Sequence, residues 1–304
     1  MCRPMPDKPL KTVIGSYPMD FDKIGLVAIR EAVNDQLKAG IDLVTDGQTR
    51  TDMISYFAKS IDGFKGGAEK PKIAERIGEV HPSVIIRDFR MAKMLLPEAK
   101  AIKGILTGPV TLAFSSTIET PEYKGFRDEK LYMDIADALL KIGKELEKEG
   151  ATWIQIDEPF YSVGAPMELA KRAVEHITAG LHVPVALHVC GDVTKVYKRL
   201  VDFEGIDLLS HAFMGFPNNL KLLEKAALVS HKKKVGLGCI DTQKVKVESS
   251  IEVAALVRQA VEKVGWENLV FHPDCGLRAL KRDVALAKLT AMVEGVNTAW
   301  QATH

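Results

Sequence analysis

His188 and Cys190 stand two residues apart in Leu187-His188-Val189-Cys190-Gly191, and a further cysteine lies in Pro273-Asp274-Cys275-Gly276. On an extended chain, residues two apart project to the same side, so one ion can take both His188 and Cys190. Zinc accepts imidazole and thiolate in a tetrahedral shell, and a catalytic zinc keeps one position open for substrate. His188, Cys190 and Cys275 therefore form a candidate three-residue zinc site whose chemistry is activation of a thiol. The competing reading keeps both cysteines as small buried apolar residues and His188 as a hydrogen-bonded core residue.

Other polar residues share this placement at the ends of apolar runs. Asp157-Glu158-Pro159 follows Trp153-Ile154-Gln155-Ile156. Two adjacent acids there are costly unless solvated or used. They read either as recognition of an amine or cation, or as a helix N-terminus with Glu158 at the positive end of the dipole. Ser16, behind the Gly15 turn, reads as a donor to a substrate carboxylate or as a helix cap. Cys239 reads as a third thiolate or as a core cysteine, and His211 as a weaker ligand candidate because its extended segment points it the other way.

The elements that must position these residues alternate regularly. Short apolar runs at 12–15, 42–45, 104–107, 153–156, 185–189, 207–210, 235–238 and 269–271 read as buried parallel strands. Between them run amphipathic helical patterns at 24–39, 131–149, 169–179, 251–264 and 278–293, four of them followed by Gly40, Gly150, Gly180 and Gly265 as stop signals. The Gly- and Lys-rich stretch 64–81 fits neither pattern and reads as an excursion, a hairpin between the second and third strands. Eight strands alternating with helices favour an α/β (β/α)8 TIM barrel, in which chemistry sits at the C-terminal ends of strands. No linker composition interrupts 1–304, so the expectation is a single barrel domain.

The overall charge balance is close to neutral, with 41 Lys plus Arg against 40 Asp plus Glu. That predicts neither a nucleic-acid footprint nor a membrane-surface patch. Four cysteines in 304 residues do not make a disulfide scaffold. The N-terminal sequence has no apolar signal core, and no apolar run approaches the roughly 18 residues of a membrane span. A cytoplasmic protein with reduced thiols is expected.

Taken together, Ile14-Gly15-Ser16-Tyr17-Pro18, Asp46-Gly47 through Asp52-Met53, Gly108-Pro109-Val110-Thr111, Gln155-Ile156-Asp157-Glu158-Pro159, His188-Val189-Cys190-Gly191-Asp192 and Asn268 through Pro273-Asp274-Cys275-Gly276-Leu277 resemble the catalytic barrel of the cobalamin-independent methionine synthase family. The resemblance spans nearly the whole chain in the family's order. It implies a methyltransferase in which zinc binds the thiolate of homocysteine. In the family the ligands are one His, two Cys and one Glu, and His188, Cys190 and Cys275 match the first three. It also implies that homocysteine is held by the turn from Ile14 to Ser16 and by Asp157, with Asp157 orienting the amino-acid end for catalysis.

Three positions depart from the family pattern. Ala212 stands where the glutamate ligand belongs, Gln48-Thr49 where an acid helps hold the substrate amine, and Gln243 where a catalytic histidine is usual. Thr49 is carried forward as a substrate-binding candidate. The fourth zinc position falls to substrate or water, to Cys239, or to His211. Because the chain has one barrel rather than two, a methyl donor of the corrinoid type, methylcobalamin or a corrinoid protein, is expected in place of folate. Two other readings stay open: an alkyltransferase or lyase acting on another thiol such as coenzyme M, and a non-catalytic barrel that binds a methyl-carrier protein.

Overall fold

Seven of the apolar runs pair side by side in one parallel sheet. Strand two (Leu43–Val44) is followed across the sheet by strand three (Ala101–Thr107), four (Trp153–Asp157), five (Val185–His188), six (Leu208–His211), seven (Lys234–Gly238) and eight (Leu269–His272). The remaining run, at 11–12, closes the ring: Lys11 bridges Phe271 and Thr12 bridges Leu43, both in parallel sense. The Thr12 amide donates to the Phe271 carbonyl at 2.8 Å and the Leu43 amide to the Lys11 carbonyl at 3.2 Å. The expected eight-stranded barrel is thereby complete. This computed structural model describes residues 8–19, 25–66 and 70–303.

The strands lack the alternation of a half-exposed sheet because both faces are covered. From Ile102 to Thr107 every residue is buried, one face toward the barrel interior and the other under helices. The outer ring contains the helices Leu26–Ala39, Glu129–Lys148, Met167–Ala179, Ser250–Val264 and Arg282–Gln301. Gly40 closes the first of these in a left-handed conformation, φ 91°, as a C-capping glycine should. Gly180 does not: its φ of −100° leaves it in the ordinary right-handed region. The last helix begins at Arg282 rather than 278 and runs eight residues past the expected end at 293 to Gln301. Two helices between strands two and three were missed: Met53–Ala58 is too short to show a period, whereas Ser83–Lys93 buries Ile85, Ile86, Phe89 and Ala92 on one face and its pattern was readable.

The excursion is a hairpin, as its composition suggested. Phe64–Lys65 pairs antiparallel with Lys72–Ile73, and the latter pairs in parallel with a third short strand, Thr117–Ile118. Among the described residues no helix is long and apolar enough to cross a membrane.

Glu158 belongs to this scaffold. Its fully buried carboxylate accepts the Val110 and Thr111 amides, each at 2.9 Å, and the Thr111 hydroxyl at 2.6 Å. It thus caps the N-terminus of the helix Pro109–Phe114, which follows strand three, and not a helix of its own segment. Truncating it strands two buried amides. Glu158→Ala should lower stability by roughly 3 kcal/mol or more in chemical denaturation, with Glu158→Gln losing clearly less because one side-chain oxygen can still accept.

Candidate functional site

Parallel register places the functional side chains at one level. Asp157 of strand four lies beside His188 of strand five, and His188 beside Ser210 of strand six. The C-terminal ends of these strands meet in a cavity of about 560 Å³ whose walls include Phe160, Cys190, Ala212, Phe216, Gln243 and Cys275. His188 is buried behind two of its lining residues, Cys190 and Cys275. Its Nδ1 lies 3.0 Å from Ser210 Oγ, while its Nε2 is buried with no hydrogen-bond partner.

The two half-buried cysteines converge on that nitrogen. His188, Cys190 and Cys275 each offer a ligand atom, and these atoms all lie within 4.8 Å of one another. A tetrahedral zinc with Zn–S near 2.3 Å needs sulfurs about 3.8 Å apart, so a small contraction completes the shell. The donor set, two sulfurs and an imidazole, suits zinc rather than a hard cation. The thiols already share protons unequally. The hydrogen bond with Cys275 holds the Cys190 thiol below its ordinary pKa, while the same contact and then burial push Cys275 well up.

The other ligand candidates fall away. Cys239 is fully buried in the core, and its thiol donates to the Leu237 carbonyl at 3.1 Å instead of facing the mouth. A cysteine one residue beyond a strand end had looked well placed, but its side chain alternates to the wrong side. His211 is fully buried with Nδ1 3.0 Å from the Val189 carbonyl, and burial lowers its pKa to about 4. Neither joins the three-residue cluster.

A polar layer beneath the mouth ties the remaining predicted residues together. Lys103 Nζ donates to the Val13 carbonyl at 2.6 Å and to Gln155 Oε1 at 2.5 Å. Gln155 Nε2 donates in turn to Asp157 Oδ1 at 2.6 Å and to the Ile14 carbonyl at 2.8 Å. One amide therefore holds both Asp157 and the turn from Ile14 to Ser16. Burial pushes the Asp157 carboxyl up and the Lys103 ammonium down. Ser16 meets the strand-eight loop: its carbonyl accepts the Leu277 amide at 2.8 Å, and any side chain at Gly276 would strike its hydroxyl. Thr49 is buried, and it is the amide of its neighbour Gln48 that lies against Gly15, with a buried Nε2 lacking a partner.

The loops are held by residues that sequence reasoning missed. Asp274 accepts the Phe213, Met214 and Gly215 amides at 2.9, 3.2 and 2.6 Å, clamping the strand-six loop. A side chain at Gly238 would occupy the same space as this carboxylate. Asn219 Nδ2 donates to the Gly191 and Ala212 carbonyls at 2.9 and 2.8 Å, joining the loops after strands five and six. Lys103 and Gln155 carried a weak signal, each being one polar residue inside an apolar strand; Asn219 carried none.

Fold and site together define a parallel α/β barrel with a His and two Cys gathered at the C-terminal mouth of its strands. The chain matches the family described as Cobalamin-independent synthase, Catalytic domain, over residues 18–298. It is similar to the methionine synthase of Methanothermobacter thermautotrophicus, at 40% identity covering 93% of this chain and 98% of that one. The methionine synthase of Methanocaldococcus jannaschii is 38% identical, covering 94% and 97%. Among solved structures, a B12-independent methionine synthase from Shewanella sp. W3-18-1 in complex with selenomethionine shares the fold, with a TM-score of 0.82 at 23% identity over 96% of this chain and 98% of that one. The chain belongs to the cobalamin-independent methionine synthase family.

That membership corrects the expected donor. A corrinoid, whether methylcobalamin or a corrinoid protein, is overturned by a family defined as cobalamin-independent. The expectation rested on the single barrel, which these curated methionine synthases match over 98% and 97% of their own length. The non-catalytic reading is set aside by the same relatives.

The unequal thiols make a direct prediction. In metal-free protein, iodoacetamide at neutral pH should modify Cys190 first, because a lowered pKa leaves more thiolate at a given pH. Peptide mapping should find Cys275 slower by about tenfold or more, and Cys239 unmodified until the protein unfolds.

Proposed function

We propose that this chain is a zinc-dependent enzyme that methylates homocysteine to methionine, acting as one barrel domain and taking the methyl group from a donor outside the corrinoids, such as a methylated folate. The observation that carries the reading is the buried His188 Nε2, which has no nitrogen or oxygen partner, grouped with two cysteine sulfurs whose residues line an open cavity. An unpaired buried nitrogen is costly, and a metal ligand bond is the partner it lacks. Zinc held there lowers the pKa of a bound thiol and keeps it as a thiolate at neutral pH.

The protein's own residues do the rest. Ala212 lines the cavity where the family ligand would project, so the fourth position is left to the substrate sulfur. Asp157, oriented by Gln155, takes the ammonium of the amino acid, and Ser16 with the Ile14 turn takes its carboxylate. Thr49 and Gln48 supply neutral groups where an acid would bind the amine more strongly. With both ends held, the thiolate attacks the methyl carbon in line, the C–S bond forms as the bond to the donor breaks, and the donor leaves with the electron pair. Phe160 and Phe216 on the cavity wall shed water from the transferring methyl.

Purified protein should hold one zinc per chain. Cys190→Ser and Cys275→Ser should lose it and lower methionine formation by at least about a hundredfold, while Cys239→Ser keeps both metal and activity. Elemental analysis beside a homocysteine assay checks this; full turnover by metal-free protein would overturn the zinc reading. The pH dependence has a definite sign. The raised Cys275 thiol is protonated at neutral pH and must release its proton to bind metal. Zinc affinity in a competition titration should therefore fall about tenfold for each pH unit below 8.

A further inference from the structure

We propose that Ser210 and His272 are positioning residues that dictate which nitrogen of His188 carries the proton. The inference rests on reading His188 as a metal ligand, and the chain of hydrogen bonds behind it is closed at its far end. His272 Nδ1 lies 2.6 Å from the Pro273 carbonyl. A carbonyl only accepts, so Nδ1 bears the hydrogen. The ring is buried and its hydrogen bonds go to this carbonyl and Ser210, neither of them a carboxylate that could balance a charge, so it is neutral and Nε2 is bare. Ser210 Oγ, 2.9 Å away, must then donate to Nε2.

A hydroxyl has one proton. Having given it to His272, Ser210 Oγ can only accept from His188 Nδ1, 3.0 Å on its other side. His188 therefore carries a proton on Nδ1, which leaves Nε2 as the nitrogen that can ligate a metal. That buried atom meets no nitrogen or oxygen partner and lies with the Cys190 and Cys275 sulfurs. Reversing the chain would set a bare His272 Nδ1 against the Pro273 carbonyl, lone pair to lone pair. The relay crosses strands five, six and eight, and the imidazoles stand edge to face with centroids 6.3 Å apart. Strand seven makes room for it: a side chain at Gly236, which pairs in register with Ser210, would collide with His272 Nε2.

The test uses the full chain labelled with 15N and stripped of metal. Long-range 15N–1H spectra should show His188 protonated at Nδ1 alone. Ser210→Ala should shift His188 toward the Nε2–H form or a mixture and weaken zinc binding by about 10–100-fold. Ser210→Thr keeps the hydroxyl and should restore both, which separates the relay from damage to folding. His272→Phe removes the acceptor and should loosen the tautomer as Ser210→Ala does. An unchanged His188 tautomer and zinc affinity in folded Ser210→Ala would overturn the relay. Wild-type protein that shows the Nδ1–H tautomer but binds no zinc would sustain the relay while refuting the metal reading.

Discussion

Burying polar atoms between parallel strands is costly unless each finds a partner, and this barrel buries many of them at one level. Lys103, Gln155, Asp157, His188, Ser210 and His272 all sit inside the wall of the sheet. Hydrogen bonds join them into two short chains, one running from Lys103 through Gln155 to Asp157 and the Ile14 turn, the other from Pro273 through His272 and Ser210 to His188. The second chain ends on the ring of His188, whose Nε2 meets no nitrogen or oxygen partner. The convergence of Cys190 and Cys275 is what gives that atom something to do.

The loops that carry the cysteines are not left free to find their places. Asp274 holds three successive amides of the strand-six loop, Asn219 links that loop to the turn after Cys190, and the Leu277 amide anchors the Cys275 loop to Ser16. Each clamp is a side chain or backbone group on one strand end satisfying a neighbour, so the mouth is preorganised by the same bonds that satisfy buried backbone. Glu158 plays the matching part between strands three and four. Of the two acids in Asp157-Glu158, one is thereby committed to scaffold and the other remains beside the cluster.

The side chains of Ala212 and Gln243 belong to the mouth but not to the bonds that hold it. Both line the cavity, and neither is needed by the clamps, which use the Ala212 carbonyl and not its side chain. The side chain at position 212 is therefore free to vary while the loop keeps its course. Cys239, one residue beyond strand seven, had seemed a substitute, yet its thiol turns into the core toward the Leu237 carbonyl.

Much of this was legible in the amino-acid order. The eight apolar runs, their helices, the hairpin excursion and the gathering of His188, Cys190 and Cys275 at strand ends follow from local pattern and from the rule that parallel barrels present their C-terminal ends together. The His-x-Cys spacing alone set two side chains on one side. Partner choice was not legible. Whether Glu158 caps its own helix or the one after strand three depends on which backbone amides the closed sheet brings to it, and the direction of Cys239 depends on where the strand ends. His272, Ser210 and Asp274 become a relay and a clamp only because strands 62 residues apart in the chain lie within hydrogen-bond reach. Distances of that kind are properties of the closed ring, since no local interaction encodes which strands will stand side by side at the mouth.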